Sequence, residues 1–400
     1  MKVVQVNVNC GGGSVGKICV SVSKLLSEKG IENYILYALG TTEYPLGIKY
    51  TTKTTIKLET LFSKATGRFG FSAYLSTQRL LKQLDKINPD IIQLHNIHNN
   101  NVHIGMLFDY IERKNIKTFW TFHDCFAFTG YCMYFDMCNC SKWKDGCSKC
   151  PQYKSYSFLF DRSRYLYRLK EKAYNGSDLT IISPSNWMAN LVKESMLKEN
   201  RVEVIHNGID LSVFNPVDSN LREKYKAQNK FIVLSVAYNW EARKGLDVFV
   251  QLARDLDTRY QIILVGTNDE VDKLLPSNII SVHKTSNQQE LAELYSIADV
   301  FAIPTREDNY PTVNMESIAC GTPVVTFDTG GSPEMVDEKT GVVVPKGNYE
   351  MFMNAIIEIC EDQRLKREDC VSKAKVAFLD NDCFEEYIKL YTKYSIGGVQ

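Results

Sequence analysis

Short apolar runs recur along this chain, each followed by a glycine or polar turn and then by a stretch long enough for a helix. Val3 to Val8, Tyr34 to Ala38, Asp90 to Leu94, Thr118 to Phe122, Leu179 to Ser183 and Val202 to Ile205 read as strands in the first half. FIVLSVAY from Phe231 repeats the pattern in the second half, followed by YQIILVG, DVFAIPT, PVVTFDT and GVVVP. Runs that are apolar at successive residues are buried on both faces, as in a parallel sheet covered by helices on either side. The expected fold class is therefore α/β, with doubly wound parallel sheets. Helices are expected from about Val15 to Glu28 and from about Cys383 to Tyr394. In such sheets ligands sit beyond the carboxyl ends of strands, so the residues just after each run are where chemistry is expected.

A chain of 400 residues holds two domains of ordinary size. The polar stretch from Asn207 to Lys230, with Pro216 inside it, reads as the linker. The expected division is a first domain over 1–212, a second over 213–382, and a last helix over 383–400 that returns to the first domain. Lys plus Arg and Asp plus Glu each total 47, so there is no basic excess of the kind that binding a phosphate backbone requires. Nucleic acid is thus not an expected partner. Met1 and Lys2 lead straight into a strand, and no apolar run approaches the roughly 20 residues of a membrane span. A cytoplasmic location is expected. Twelve cysteines in such a chain point to thiols or a metal site rather than a disulfide scaffold.

DNYPTVNMESIACGTP, Asp308 to Pro323, is the most specific stretch for chemistry. Ile303-Pro304 closes a strand, Asp308 and Asn309 fall in the next loop, and Pro311 suits a first helical position because its missing N–H costs nothing there. The helix runs to about Cys320, and Gly321 ends it. The free N–H groups near Thr312 and Val313 offer an anion site, while Asp308 and Glu316 could accept hydrogen bonds from hydroxyls on either side of a diphosphate. An ordinary loop, helix and strand with surface acids has the same spacing. After the strand at Phe231 comes Asn239-Trp240-Glu241-Ala242-Arg243-Lys244-Gly245, whose basic pair could neutralise a leaving diphosphate. A solvated basic pair is the plainer alternative. Gly11 to Lys17 matches G-x4-G-K after a strand, but Ile18 stands where a P-loop needs Ser or Thr for magnesium. The glycines still let backbone approach an anion closely, without ATPase chemistry.

Taken together these segments resemble retaining glycosyltransferases of family 4, of the polysaccharide-biosynthesis type, over nearly the whole chain. The resemblance rests on Gly11 to Gly13, TFHD at Thr121 to Asp124, NGID at Asn207 to Asp210, EARKG at Glu241 to Gly245 and the run from Asp308 to Pro323. It implies the GT-B architecture, two Rossmann-like domains facing a central cleft. By the same resemblance Asp308 and Glu316 occupy an E-x7-E motif, the first touching donor-sugar hydroxyls and the second the ribose. Asp308 departs from the family's Glu and reaches about one methylene less far, with Glu307 one residue too early. The resemblance further implies that Arg243 and Lys244 bind the diphosphate and that His123 contacts the donor sugar. The implied catalytic residues are His123, Asp308, Arg243 and Lys244. Implied donor contacts come from Gly12, Gly13, Asn207, Arg243, Lys244, Asp308, Tyr310, Pro311, Thr312 and Glu316. No catalytic metal is expected, and the anomeric configuration is expected to be retained by front-face attack.

Three features lie outside that set. His95, His98 and His103 give H-x2-H-x4-H, which suits zinc on paper. In an asparagine-rich loop, lining the acceptor side or capping the strand end is the preferred reading. Cys132, Cys138, Cys140, Cys147 and Cys150 are denser, and the last two form a C-x2-C knuckle. A structural zinc on Cys132, Cys140, Cys147 and Cys150 is expected, with Cys138 spare; free thiols and an iron–sulfur cluster are the alternatives. Without metal the segment reads as too poor in apolar residues to hold its shape. Finally, Tyr153 to Tyr174 reads as one helix rich in aromatics and cations. It is either an ordinary helix with a wet basic face or one that rests on an anionic membrane surface through Arg162, Arg164, Arg168 and Lys170.

The resulting expectation is transfer of a sugar from a nucleotide-sugar donor to a growing cell-surface polysaccharide of capsule, O-antigen or exopolysaccharide type. The acceptor is expected to be a lipid-linked oligosaccharide, with peripheral contact at the inner membrane face. The competing class is a non-catalytic sugar- or nucleotide-binding module on the same fold.

Overall fold

The computed structural model describes residues 1–396, with side chains described through 394. The chain divides into two compact units, residues 1–207 with 381–400, and residues 208–380. In the first unit seven strands form one sheet: β1 (Lys2–Asn7), β2 (Glu32–Tyr37), β3 (Gly47–Lys49), β4 (Ile91–Leu94), β5 (Lys117–Thr121), β6 (Leu179–Ser183) and β7 (Arg201–Val204). Their order is β3-β2-β1-β4-β5-β6-β7, and every pairing is parallel. In the second unit β8 (Phe231–Val236), β9 (Tyr260–Val265), β10 (Ile279–Val282), β11 (Val300–Ile303), β12 (Val324–Phe327) and β13 (Gly341–Val344) pair in the order β10-β9-β8-β11-β12-β13, again all parallel. Strand order reverses direction between β1 and β4 in one sheet and between β8 and β11 in the other. Those switch points open crevices at the carboxyl ends of the strands. The glycine loop follows β1, His95 follows β4, Arg243 and Lys244 follow β8, and Asp308 follows β11.

The central strands are buried on both faces, which is why their sequences lack alternation. Two strands escape the sequence reading. Gly47–Lys49 is only three residues long, and Ile279–Val282 is a half-buried edge strand. The last described helix, Asp380–Ile396, lays Phe384, Tyr387, Ile388, Leu390 and Tyr391 into a core shared with Val3, Ile18, Val22, Ile91 and Phe119 of the first unit. Tyr387 Oη lies 3.0 Å from Thr121 Oγ1, and Tyr391 Oη donates to Gln93 Oε1 at 2.8 Å.

The compact units divide in the chain at Asn207, and Ile209 and Phe214 lie in the second unit's core. Some expectations need correction. Pro311 is the residue before the helix Thr312–Ala319, in extended backbone with ψ 115°, rather than its first residue. Tyr153–Tyr174 is not one helix: a short turn of helix at Tyr153–Tyr156 and the helix Ser163–Tyr174 flank an irregular segment. Lys170 cannot face lipid headgroups, since it is fully buried and its ammonium donates to the carbonyls of Phe126 at 2.5 Å and Thr129 at 2.9 Å. The cysteine-rich segment has an apolar centre of its own: Phe135 stacks on Trp143 at 4.9 Å, and Trp143 packs on Phe128.

Candidate active site

In the second unit the two charged segments predicted from sequence meet. Arg243 and Lys244 lie on a single 3-10 turn, Ala242–Lys244, just beyond β8. Gly245 follows in left-handed backbone at φ 75°, and a Cβ there would sit 2.5 Å from the Pro304 carbonyl oxygen. Only glycine therefore allows the turn to press against the end of β11. Arg306 N donates to the Arg243 carbonyl at 2.7 Å, locking the two loops together. Across this seam Lys244 Nζ meets Asp308 Oδ2 at 2.5 Å, and both side chains are largely shielded. Arg243 donates to the Glu307 carbonyl at 3.3 Å and pairs with Glu241 at 3.2 Å.

The other Asp308 oxygen accepts the Asn309 N–H at 3.1 Å. Both Asp308 oxygens are thus engaged within the protein, and one of them orients the lysine. The Asp308–Asn309 backbone is held from β12: Gly331 N donates to the Asn309 carbonyl at 2.6 Å, and Gly330, at φ 59°, has no room for a side chain beside the Asp308 carbonyl. TGGSP, Thr329 to Pro333, was the sequence signal for this support, and the sequence reading passed over it. Tyr310 and Pro311 are buried and lead into the helix Thr312–Ala319, whose start has no side-chain cap. Glu316, in its second turn, accepts a hydrogen bond from Tyr295 at 2.9 Å. Burial and the Glu316 charge raise the Tyr295 pKa well above its ordinary value, so that hydroxyl stays a donor.

The first unit gathers a second cluster at the carboxyl edge of its sheet. His95 Nδ1 lies 3.1 Å from His123 Nε2 with the rings stacked, and His95 Nε2 lies 3.1 Å from Gln5 Oε1. His98 pairs with Asp124 at 2.9 Å. Burial pushes His123 down to about 4 and His95 well below its ordinary value, so both are neutral near pH 7. Burial opposes charge on His98, but the Asp124 carboxylate outweighs it and holds the imidazole above its ordinary value. Asp124 itself lies below the usual carboxylate range, because His98 and the Phe126 N–H overcome its own burial. The neutral His95–His123 pair thus adjoins the His98–Asp124 contact, in which each partner favours the charged form of the other. The sequence reading missed the His98–Asp124 contact, which the TFHD spacing does not encode.

Gly12 and Gly13 start the helix Gly13–Glu28, which carries no side-chain cap. Lys17 falls on that helix and is exposed, so the G-x4-G-K match does not form a phosphate cradle ahead of a helix. His103 caps the helix Ile104–Lys114 by accepting from Met106 N at 3.2 Å, and it packs on Tyr74 rather than on His95 or His98. Asn207 ends the first unit with its side-chain oxygen buried and unpaired. The adjoining Ile209 N donates to the Phe378 carbonyl at 2.9 Å. Among the described residues the group of three ligand-type side chains within 4.8 Å of one another is Asp269, Asp272 and His283, away from every predicted site residue.

Comparison with known proteins gives a coherent result. WcaC of Escherichia coli (strain K12), provisionally named a colanic acid biosynthesis glycosyl transferase, is 22% identical over 98% of this chain and 99% of its own length. An enzyme of Campylobacter jejuni named N,N'-diacetylbacillosaminyl-diphospho-undecaprenol alpha-1,3-N-acetylgalactosaminyltransferase is 27% identical over 57% of this chain and 63% of its own. Among solved structures, Anabaena HepE in complex with UDP-glucose superposes with a TM-score of 0.71 at 15% identity, over 98% of this chain and 100% of HepE. The model for glycosyl transferases group 1 matches residues 217–377, the unit that carries Lys244, Asp308 and Glu316. The model for glycosyltransferase family 4 matches residues 12–213, half of the chain, and the chain therefore belongs to glycosyltransferase family 4, with the two Rossmann-like parallel-sheet domains of the GT-B type.

Proposed function

We propose that this enzyme transfers a sugar, with retention of configuration, from a nucleoside diphosphate donor to a lipid-linked oligosaccharide in the assembly of a cell-surface polysaccharide. The observation that carries the reading is the Lys244–Asp308 contact, with Arg243 on the same turn and the uncapped start of the helix Thr312–Ala319 four residues further on. Two cations and a helix start without a side-chain cap at one switch point suit a diphosphate whose charge grows as the sugar leaves. The C1–O bond to the diphosphate breaks, a bond from C1 to the acceptor oxygen forms, and the acceptor proton passes to the departing phosphate. Arg243 and Lys244 then offset the charge that other enzymes give to a metal. Glu316, held by the Tyr295 hydroxyl, accepts from ribose hydroxyls in this reading. The UDP-glucose of HepE and the diphospho-undecaprenol acceptor of the Campylobacter enzyme support the same donor and acceptor classes.

An exposed apolar patch supports the lipid-linked acceptor. Phe158, Leu159 and Phe160 are 56%, 72% and 49% exposed in the segment between the helices Tyr153–Tyr156 and Ser163–Tyr174. That segment is tied to the end of the helix Lys53–Thr66, where Leu61 and Phe62 are also exposed: Phe158 N donates to the Lys64 carbonyl at 2.8 Å. Lys64 lies over the Phe158 ring and Arg162 over the Phe160 ring, so cations rim the patch as anionic headgroups require. No described helix is long and apolar enough to cross a membrane.

The deciding experiment screens UDP-, GDP- and dTDP-sugars by thermal shift and then follows radiolabel from the stabilising donor to an undecaprenyl-diphosphate oligosaccharide, with and without EDTA. A donor at a hundredfold its dissociation constant adds about 2.7 kcal/mol of stability. Stabilisation without transfer to any acceptor would leave a binding module, and strict dependence on magnesium would remove the metal-free mechanism.

A further inference from the structure

Five cysteines follow the His123–Asp124 turn, and the fold sorts them. Cys132, Cys140, Cys147 and Cys150 line one cavity together with Tyr131, Phe135 and Trp143. Cys138 does not line it: its sulfur donates to the Phe135 carbonyl at 3.2 Å and accepts from Gln152 Nε2 at 3.0 Å. None of the five is in a disulfide. Cys132 Sγ and Cys150 Sγ stand 3.9 Å apart. Two sulfurs that each lie about 2.3 Å from one tetrahedral ion are separated by about 3.8 Å. Among the described residues no third sulfur is within 4.8 Å of both, so completing the tetrahedron requires Cys140 and Cys147 to turn into the cavity they already line.

Gly130 N donates to Cys147 Sγ at 3.2 Å, a hydrogen bond that a thiolate accepts better than a thiol does.

We infer that Cys132, Cys140, Cys147 and Cys150 hold one structural zinc ion and that Cys138 is not a ligand. A redox-inert ion with tetrahedral preference suits a site that shapes a loop rather than moving electrons. The loop concerned is the one after His123 and Asp124: Cys125 N donates to the Met133 carbonyl at 2.9 Å, and Thr129 Oγ1 to the Cys132 carbonyl at 2.6 Å. Zinc closes this fold-back from its far end.

The test uses the full chain purified without chelator. Elemental analysis should find about one zinc per chain, and a mercurial that caps thiols should release it to a colorimetric chelator. Cys138→Ser should keep the full complement, while Cys147→Ser should lose at least four-fifths of it. Should Cys147→Ser fail to fold, cobalt exchanged into the unaltered chain should show the thiolate charge-transfer and intense visible bands of a tetrahedral four-sulfur site. Zinc below a tenth of an equivalent, iron in its place, zinc lost from Cys138→Ser, or a non-reduced mass that reveals a Cys132–Cys150 disulfide would each overturn the inference. The zinc content read in each of these outcomes does not depend on the proposed reaction, so its failure and the failure of that reading are distinguishable.

Discussion

At the scale of single residues, the Lys244–Asp308 pair changes what each substitution should do. Lys244→Ala should lower turnover by roughly a hundredfold, the scale of one lost preorganised electrostatic contact, while folding survives because the residue lies on a surface turn. Asp308 holds that lysine, so the two effects should not add: a double-mutant cycle on kcat/KM should give a coupling of about 1 kcal/mol or more. Additive effects would mean that Asp308 meets the donor sugar independently, as the family resemblance implies. Glu316→Ala should weaken binding of the bare nucleoside diphosphate, measured by calorimetry, because a ribose contact does not require the sugar. His123 offers a pH test. With its folded pKa near 4, below the ordinary 6.5, the neutral ring contributes stability that is present above pH 6.5 and is lost as the pH falls toward 4. An NMR titration should show its midpoint near 4, and a midpoint above 6 would mean the ring is solvated. That Lys244 and Asp308 follow strands of one sheet was legible in the sequence, whereas their contact was not, since 64 residues separate the partners.

At the scale of elements, the strands were the most readable because burial on both faces removes polar residues from them. The edges Gly47–Lys49 and Ile279–Val282 were not, being too short or half-wet to leave a pattern. The stretch Tyr153–Tyr174 shows the opposite error. Helical composition concealed a break at 157–162, which is held by tertiary hydrogen bonds: Tyr131 Oη donates to the Phe160 carbonyl at 3.3 Å and accepts from Arg162 N at 2.9 Å. That break is what presents Phe158, Leu159 and Phe160 to solvent. Replacing Leu159 and Phe160 with Ser should cut co-sedimentation with vesicles rich in phosphatidylglycerol at least fivefold, and leave thermal stability and transfer to a soluble acceptor analogue unchanged. Equal losses on soluble and vesicle-borne acceptors would place the patch in catalysis instead.

At the scale of the whole molecule, the chain leaves its second unit and spends its last described helix on the first. Tyr391 is fully buried and donates to Gln93, whose amide in turn donates to Thr121 at 3.0 Å, the residue that ends β5 ahead of His123. Tyr391→Phe should cost about 1–2 kcal/mol in urea unfolding, the price of leaving the Gln93 oxygen buried and unpaired. Tyr391→Ala should cost about 3–5 kcal/mol because it also opens a cavity. A cost below 0.5 kcal/mol for both would show that the helix is not part of the first unit's core.

The sequence by itself determined the α/β class, the two parallel sheets, the family and the residues at the switch points, because each is written in local apolar runs, turn glycines and charged loops. Only the tertiary structure decided that Asp308 holds Lys244, that burial lowers the His95 pKa while Asp124 raises that of His98 three residues away, and that Lys170 is buried. The physical reason is that desolvation and partner charge are set by atoms brought from distant strands, and residue type and spacing carry no record of how deeply a group is buried or what faces it.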